Sequence, residues 1–588
     1  MAHHPKKKKR SLEIAPAARS SVDAKSPVTN WKLFWVQVAV IVVTGLWIFW
    51  PALHGGWIGD DETLIEKNPF IHSPHGIWII WLEPSAFMDY FPIKISVEWL
   101  EWQLWQNDTF GYHLNNVILH IISALLIWRL LSKLGVRLAW LGGLIFVLHP
   151  ATVESVGWIT ELKNTLSLPP FLLAMCFFID YDERGKLRDC LLALGFFLVA
   201  MLCKTSMVMF PFVILLYAWW KRGRIRRNDL KTSVFFLVIS FGLGLVTLWF
   251  LHHHGIVHHP VIFGGFFPQL ALIGLSIAFY FSKCVWPVIL LPVYPRWVID
   301  PPSLWQFLPW PVLGGVIFWL WTKRATWGRH ALLGLGFFLI MLAPFVGLTA
   351  GSYMTFSWVM DHFLYIPLIG LIGLAVAGLG EIEKKLSPAV RSIGIGIVTV
   401  TLALLAWGSH AYAEMYGDQE KLWAYNLEFN PRSLPAHLNL GNAFLAENRF
   451  DEAMEQFYQV LKIDPDYAGA HNNLGIILYQ KGSIPEAIEE FRKAAESDPY
   501  DANNDNNYGF ALARNNRIPE AIKEFEIAVK ENPHLADAHK NLALSYWKVH
   551  RIPDAIEQYE FCLRLNPNDE EALHYLEQLE SQTPTPAR

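Results

Sequence analysis

The sequence predicts an all-α protein with two parts, a polytopic transmembrane helical domain and a soluble domain of stacked helical repeats. The first part is indicated by composition, since 53% of the 588 residues are hydrophobic and only 17% are charged. This balance, concentrated in long apolar segments, is typical of a chain that crosses a membrane many times. The second part is indicated by a helical sequence pattern that recurs at a fixed step after residue 412.

The N-terminal segment predicts the orientation in the membrane. Residues 1–30 are polar and rich in Lys, Ser and Pro, so we expect a disordered cytoplasmic N-terminus. Residues 31–53 are long enough to span a bilayer and too aromatic for a cleaved leader. Because the basic run Lys6 to Arg10 precedes this span, the positive-inside rule places the N-terminus inside and the following loop outside. The net charge of −4 gives no reason to expect a nucleic-acid partner.

Residues 31–411 are predicted to form the transmembrane domain, with an outer loop over residues 54–109 that is too polar to span. Basic clusters between the later apolar segments mark the inner loops. Their positions require that residues 266–290 either form a re-entrant segment or cross twice, which gives 11 or 13 spans. Either odd number places the chain after residue 411 on the outer side.

The C-terminal part carries an internal repeat. The residues that recur every 34 positions are Gly441, Gly475, Gly509 and Ala543; Ala453, Ala487, Ala521 and Ala555; and Pro431, Pro465, Pro499, Pro533 and Pro567. This is the tetratricopeptide signature, in which small residues let two helices pack closely and a proline ends the second helix. We expect a repeat domain over residues 412–580 and a disordered tail at 581–588. Such a stack forms a concave groove for a polypeptide or a partner protein.

An acidic turn, Gly59-Asp60-Asp61-Glu62, is the strongest candidate for a catalytic centre. Three consecutive carboxylates at a membrane surface repel one another and lose hydration, so packing alone gives no reason for them. A carboxylate at such a place can accept a proton from a hydroxyl group. The alternative is a solvated loop that ends the first span.

Further polar side chains are predicted near the outer side. His113, Asn116 and His120 share one face of the second span, and interhelical hydrogen bonding explains them more simply than catalysis. His149 and Glu154 lie where the third span ends. The remaining candidates, an acid and four groups suited to hold a phosphate, are Asp361, Lys163, Lys204, Arg296 and His362.

Six segments are informative in combination with the repeats. The segments are FGYHLNNVILH, HPATVESVGWITELKNTLS, MLCKTSMVMFPFVILLYAWW, YFSKCVWPVILLPVYP, MDHFLYIPLIGL and YGDQEKLWAYNLEFNP, followed by the repeats. Together they resemble the transmembrane and tetratricopeptide-repeat (TMTC) family of O-mannosyltransferases and the bacterial membrane proteins related to it. The resemblance covers nearly the whole chain from about residue 31. It implies a GT-C fold, a polyprenyl-phosphate sugar donor, inverting transfer to protein hydroxyls and a bacterial inner-membrane location.

The resemblance also assigns residues. The catalytic aspartate of the family falls on Asp60 or Asp61, and its HP-x-x-x-E element falls on His149, Pro150 and Glu154. Its Asp-Arg-Tyr element falls on Asp361-His362-Phe363, where histidine replaces the arginine. The family often has Ser-Glu-Arg-Lys where this chain has Thr160-Glu161-Leu162-Lys163, so one cation is missing and the donor's identity stays open.

The resulting hypothesis is an outer-face glycosyltransferase that moves mannose or a similar hexose to Ser or Thr hydroxyls of a protein held by the repeats. Asp61, or Asp60 beside it, is the expected base, and Glu154 orients or shares the proton. Lys163, Lys204, Arg296 and His362 are the expected phosphate ligands; Glu62, His113, Asn116, His149 and Asp361 support the site. One rival is a non-enzymatic membrane-anchored scaffold for protein-complex assembly. Another is a transporter, which would need charged groups near the middle of the membrane.

No metal site is assigned. Carboxylates beside a phosphate donor either hold Mg²⁺ or Mn²⁺ or act without a metal. The cluster His252, His253, His254, His258 and His259 offers zinc ligands, but no other ligand accompanies it in that loop. The five cysteines have no disulfide or metal spacing.

Overall fold

The computed structural model describes residues 31–83, 87, 90–253, 263–348, 351–566 and 569–582. Within these residues the chain forms helices and no strand, which confirms the all-α prediction. The expected disordered N-terminus, 1–30, and residues 583–588 of the expected tail lie outside the described residues. Residues 581 and 582 of that tail belong instead to the last helix.

The chain contains twenty-six described α-helices in two series. Those of the N-terminal part are α1 (Trp31–Phe49), α2 (Pro69–His72), α3 (Gly76–Leu82), α4 (Pro92–Trp105), α5 (Thr109–Lys133), α6 (Ala139–Leu148), α7 (Val153–Gly157), α8 (Leu162–Arg184), α9 (Leu187–Cys203), α10 (Phe210–Arg222), α11 (Arg227–His253), α12 (Phe266–Val285), α13 (Pro309–Thr322), α14 (Gly328–Leu342), α15 (Leu368–Glu383) and α16 (Pro388–Met415). Those of the C-terminal part are α17 (Gln419–Phe429), α18 (Leu434–Ala446), α19 (Phe450–Ile463), α20 (Ala468–Gln480), α21 (Ile484–Ser497), α22 (Ala502–Arg514), α23 (Ile518–Glu531), α24 (Ala536–Lys548), α25 (Ile552–Leu565) and α26 (Glu570–Gln582).

The first series is an integral membrane bundle. In the described part of the chain, 8 helices are long and apolar enough to cross a membrane, or 9 if the pair α6 and α7, bent by 65°, counts as one span. Their outward faces are apolar, as at Trp35 of α1 and Ile397 of α16, and lipid covers such surfaces. The count of 11 or 13 spans also includes shorter helices such as α9, α10 and α15 and stays a prediction.

Residues 266–285, in the segment expected to be re-entrant or to cross twice, form the single helix α12 of 20 residues. Near its start, Gln269 donates to the Gly347 carbonyl, which follows α14, at 2.8 Å. Near its end, the Cys284 carbonyl accepts from His149, which follows α6, at 3.1 Å. One continuous helix tied at both ends in this way disfavours two crossings within the segment.

Two glycines allow α14 and α15 to pack closely. A Cβ atom on Gly334 of α14 would lie 2.6 Å from the Gly370 carbonyl oxygen of α15, and one on Gly370 would meet the Gly334 carbonyl oxygen. The two backbones therefore touch at this point. Small residues give membrane helices the close packing that lipid-exposed apolar side chains cannot supply.

The second series is a stack of helix pairs, α18 with α19 through α24 with α25, flanked by α17 and α26. The recurring glycine makes room for the aromatic ring of its own repeat. A Cβ atom on Gly441 would lie 2.6 Å from the Phe457 ring, and Gly475 and Gly509 meet Phe491 and Phe525 in the same way. Residue 412, where the repeat domain was expected to begin, lies inside α16, which continues to Met415. The exact boundary between the two domains stays a prediction.

The repeats begin beside the acidic turn. Gln419 at the start of α17 donates to the Trp57 carbonyl, three residues before Asp60. The rings of Trp423 and Trp158 meet edge to face at 6.1 Å. Asn426 donates to the Val293 carbonyl at 3.0 Å. These contacts fix the first helix of the repeat stack to the end of the bundle that carries Asp60 and Asp61.

Candidate active site

The two aspartates of the acidic turn have different surroundings. Asp61 is fully buried, and its two carboxylate oxygens accept the backbone N–H groups of Ile58 at 3.0 Å and Thr160 at 2.9 Å. Asp60 is exposed, and its Oδ1 accepts the Thr160 hydroxyl at 3.0 Å. Gly59 permits the turn because its φ of +57° is costly for other residues. Asp61 thus ties the turn to the segment before α8, whereas the Asp60 residue is exposed to solvent.

Both aspartates have a raised pKa. The surrounding protein removes water from Asp60 and raises its pKa, an effect that the nearby Lys163 ammonium partly offsets. The pKa of Asp61 lies well above the ordinary value, because of burial first and the Asp60 charge second. A carboxylate with a raised pKa is a stronger base than a free one.

Three charged residues that the sequence did not single out lie buried on α4, in the segment predicted to form the outer loop. Lys94 and Glu98 form a buried ion pair at 2.6 Å, and Glu101 accepts a 2.7 Å hydrogen bond from Asn115 of α5. Burial raises the pKa of Glu98 and, to a greater extent, that of Glu101. Lys94 and Lys163 both act electrostatically on Asp60. The sequence signal was the spacing of Lys94, Glu98 and Glu101, which lie four and three residues apart on one face of α4.

The segment at the start of α8 joins several predicted residues. Glu161 pairs with Lys163 at 3.0 Å and also accepts a hydrogen bond from Asn164. The Lys204 ammonium, directly after α9, donates to the side-chain oxygen of Asn164. Burial lowers the pKa of Lys204 to about 7. Lys163 keeps 22% of its side chain exposed, whereas Lys204 is buried, so Lys163 is the more accessible cation.

Glu154 and His362 are brought together as a second buried pair. The Glu154 carboxylate lies 2.7 Å from His362 Nδ1 and accepts the His362 backbone N–H at 3.2 Å. A carboxylate oxygen of Glu161 lies 3.9 Å from the same imidazole nitrogen. His362 therefore connects Glu154 with the ion pair of Glu161 and Lys163. Burial lowers the pKa of His362 to about 3, which leaves the ring neutral.

Asp361, next to His362, faces the Tyr294 hydroxyl, which lies 2.9 Å from both of its carboxylate oxygens. Burial raises the pKa of Asp361 to about 7. A hydrogen bond from the Tyr294 hydroxyl, rather than an ion pair, therefore holds the Asp361 side chain in place.

Two predicted site residues have contacts that lead elsewhere. Arg296 stacks on the Trp358 ring at 4.2 Å and donates to the Thr355 carbonyl at 3.2 Å. Glu62 pairs with Lys67 at 2.7 Å. In the described part of the chain, no recorded hydrogen bond or ion pair joins either residue to Asp60 or Glu161.

The polar residues on the spans have structural contacts. Asn116 donates to the Ile159 carbonyl at 3.2 Å and accepts the Thr165 hydroxyl at 2.5 Å, so it anchors the segment that carries Glu161. His120 bonds to the Tyr365 hydroxyl at 2.9 Å, and His113 is buried on the same helix. His149 uses both ring nitrogens, one on the Ala151 N–H and one on the Cys284 carbonyl.

The histidine cluster considered for zinc lies in the segment whose side chains are outside the described residues. Among the side chains that the structure does describe, no group of three or more His, Cys, Asp or Glu residues converges as metal ligands.

Comparison with known families matches both parts of the chain. Residues 96–251 match the dolichyl-phosphate-mannose-protein mannosyltransferase family. Residues 441–482, 468–501 and 509–570 match tetratricopeptide-repeat families, which confirms the predicted repeats.

Two relatives and one solved structure describe the similarity further. Protein O-mannosyl-transferase F38B6.6 of Caenorhabditis elegans is 22% identical over 73% of this chain and 63% of its own length. Protein O-mannosyl-transferase TMTC3 of Homo sapiens is 22% identical over 75% of this chain and 52% of its own length. The chain thus spans less than two-thirds of either relative. The crystal structure of YrrB, a TPR protein with an unusual peptide-binding site, is 22% identical over 27% of this chain and 81% of its own, with a TM-score of 0.24. In its membrane part and its repeats, the chain is similar to proteins that are named protein O-mannosyl-transferases.

Proposed function

We propose that the protein is a GT-C-type membrane glycosyltransferase. It moves a hexose, mannose or a close analogue, from a polyprenyl-phosphate donor to Ser or Thr hydroxyls of a protein acceptor. In this proposal the N-terminus is cytoplasmic, and the site and the repeats face the periplasm of a bacterial inner membrane. The observation that carries the proposal is the accessible Asp60 carboxylate, held beside Lys163 where the repeat stack begins.

Asp60 is the proposed general base. Its carboxylate is accessible and has one hydrogen-bond donor, the Thr160 hydroxyl, whereas both oxygens of Asp61 are occupied by backbone N–H groups. In the reaction the acceptor oxygen bonds to C1 of the sugar as the bond from C1 to the phosphate oxygen breaks. The hydroxyl proton passes to Asp60, and the polyprenyl phosphate leaves with the bonding electron pair. Asp61 acts as a positioning residue that holds the turn.

The leaving phosphate gains negative charge, and nearby cations stabilise it. Lys163 is the proposed first ligand, because it is partly exposed and its charge already acts on Asp60. Lys204 is proposed to act through Asn164 and Glu161, and His362, whose low pKa keeps the ring neutral, brings no positive charge to the phosphate. Glu154 keeps His362 in place. Arg296 would have to leave Trp358 to take part.

The test is a transfer assay with the purified full-length protein, a Ser/Thr-rich peptide and a panel of polyprenyl-phosphate sugars beside the matching nucleotide sugars. We expect transfer from a polyprenyl-phosphate hexose and none from a nucleotide sugar. If no donor supports transfer while the repeats still bind a partner protein, the proposed enzyme is wrong and the non-enzymatic scaffold is supported instead.

The role of Lys163 is tested by comparing Lys163→Ala with Lys67→Ala, an exposed lysine of the predicted outer loop. We expect transfer at limiting donor to fall about tenfold or more in Lys163→Ala, since a hydrogen bond to a charged group contributes about 1.5–3 kcal/mol. Lys67→Ala should transfer at the wild-type rate. Equal rates in the two variants would remove Lys163 from the phosphate site.

A further inference from the structure

In three of the four repeats, a buried histidine joins the two helices of the repeat. His437, His471 and His539 occupy one position of the 34-residue repeat, on α18, α20 and α24. One ring nitrogen of each lies 2.6–2.8 Å from a side-chain oxygen 19 residues later, on the second helix of the repeat. The other lies 2.9–3.1 Å from the carbonyl oxygen of the proline 6 residues earlier. The imidazole therefore bridges two oxygen atoms in each of these repeats.

The third repeat has an acid at this position. Asp505 of α22 replaces the histidine, and the groups at the same two spacings are the Glu524 side chain of α23 and the Pro499 carbonyl. An imidazole can donate to such oxygens, whereas an ionised carboxylate has no hydrogen to donate. The Glu524 charge acts on Asp505 more strongly than any other charge. Two carboxylates and a carbonyl thus meet where the other repeats have a bridging ring.

A second cation of the repeat pattern is also replaced. In the second repeat, Glu490 accepts a hydrogen bond from Lys493 at 2.8 Å in addition to its contact with His471. The residue equivalent to Lys493 in the third repeat is Ile527, which is 41% exposed. Glu524 therefore has neither the histidine nor the lysine that Glu490 contacts.

One carboxylate oxygen of this group is buried without a partner. Asp505 is 4% exposed, and its Oδ2 has no hydrogen-bond partner among the described residues. A buried acceptor in this state destabilises the fold unless a donor or a cation reaches it. Glu524 is half-buried and Pro499 is exposed, so the group is open to solvent on one side. A small cation can reach Asp505 from that side.

The charge and the types of ligand favour calcium. Besides Glu524, the carboxylates that act electrostatically on Asp505 are Asp501, Glu531 and Asp498. Ca²⁺ takes about six to eight oxygen ligands in a flexible arrangement that combines carboxylates, backbone carbonyls and water, whereas Mg²⁺ needs a near-ideal octahedron. Water completes the ligand shell here, because the described residues bring no third acidic or histidine side chain to the group.

We propose that Asp505, Glu524 and the Pro499 carbonyl bind a calcium ion in the third repeat. The ion takes the place of the histidine bridge and joins α22 to α23. With so few protein ligands the site is weak, with a Kd of about 0.1–1 mM, the range of low-affinity calcium sites. The site lies within one repeat and uses none of the residues proposed for sugar transfer, so it is independent of the proposed function.

The experiment measures hydrogen exchange of the α22 and α23 amides in the full-length protein in detergent, after treatment with a chelator. It is run at about pH 8, where Asp505 is ionised because its pKa is raised to about 7. Addition of about 10 mM CaCl2 should increase the protection of these amides about tenfold or more, as a ligand at ten or more times its Kd does. MgCl2 at the same concentration should increase it less than threefold, and NaCl of equal ionic strength should not change it.

Three variants test the assignment of ligands. Asp505→His restores the residue of the other repeats, so the repeat should fold with its histidine bridge and lose the response to calcium. Ile527→Lys leaves Asp505 in place and gives Glu524 the lysine that Glu490 has, and it should reduce the response to twofold or less. Asp537→Asn removes an exposed carboxylate of α24 and should respond like the wild type.

Three results would overturn the calcium site. One is unchanged exchange of the wild-type amides in calcium. Another is the same calcium response in Asp505→His as in the wild type, which would place the ion elsewhere in the protein. The third is equal protection by MgCl2 and CaCl2, which would show a general effect of divalent charge on an acidic surface.

Discussion

At the residue scale, neighbouring aspartates in one turn have different surroundings. Asp60 and Asp61 are chemically identical in the sequence, and no spacing rule distinguishes them. The difference arises from residues about 100 positions away, because the Thr160 N–H reaches Asp61 and the Thr160 hydroxyl reaches Asp60. Both carboxylate oxygens of Asp61 accept backbone N–H groups, whereas the Asp60 carboxylate can still accept a hydrogen bond from a substrate.

Asp61→Asn tests the positioning role. One carboxylate oxygen becomes an NH2 group facing a backbone N–H, so a buried donor is left unsatisfied at a cost of about 1–3 kcal/mol. We expect a lower thermal midpoint of the purified protein together with reduced transfer. The isosteric Asp108→Asn, at the N-cap of α5, is the control and should change neither. A variant of Asp61 with normal stability and no transfer would instead assign the chemistry to Asp61.

Asp505 on α22 departs from the repeat pattern, which has His437, His471 and His539 at the equivalent position. Its side chain is 4% exposed, and Oδ2 has no hydrogen-bond partner among the described residues. Burial, with the Glu524 charge second, raises the pKa of Asp505 from 3.8 to about 7. The folded state therefore favours the protonated carboxyl, and the stabilising effect of protonation is lost as the pH rises through about 7.

Asp505→Asn should therefore stabilise the third repeat at pH 8 by about 1–3 kcal/mol. The gain grows between pH 3.8 and about 7 and is constant above, because the ionised form is then the one that the wild type must bury. Hydrogen exchange of the α22 and α23 amides measures it locally. Asp537→Asn, on the exposed part of α24, is the matched control. A gain that does not depend on pH would contradict this explanation.

At the scale of elements, regular repeats were predictable and buried charge was not. The 34-residue spacing identified the helix pairs, because in three of the four repeats a glycine at one position must leave room for the phenylalanine ring of its own repeat. Helix α4 carries three buried charged residues in a segment expected to form an outer loop. Their burial comes from packing against α5, α8 and α9, which sequence periodicity alone does not specify.

The crossing of α14 and α15 provides a test at this scale. Gly334→Ala places a methyl group 2.6 Å from the Gly370 carbonyl oxygen, so the helices must separate. We expect the thermal midpoint of the detergent-solubilised protein to fall by several degrees, as for a cost of about 1–3 kcal/mol. Gly378→Ala on α15 meets no atom within 4 Å and should be neutral. Equal midpoints for the two variants would show that the crossing has room to adjust.

At the scale of the whole molecule, the membrane bundle and the repeat stack meet at the candidate site. The resemblance to the TMTC family predicted the two parts and their order, and the family matches confirm both. The meeting of Asn439 with Gly59 was not predictable, because the residues are 380 positions apart in the sequence and no motif connects them.

The most direct test of the central claim is the time course of hexose transfer to a Ser/Thr-rich peptide by wild type, Asp60→Asn and Asp108→Asn, followed by mass spectrometry. Asp60→Asn removes the proposed base at an exposed position and hardly changes the size of the side chain. The free energy of unfolding should therefore stay within about 0.5 kcal/mol of the wild-type value. We predict that transfer falls at least 100-fold in Asp60→Asn, as expected for loss of a general base, and is unchanged in Asp108→Asn. Transfer by Asp60→Asn at the wild-type rate would contradict the account.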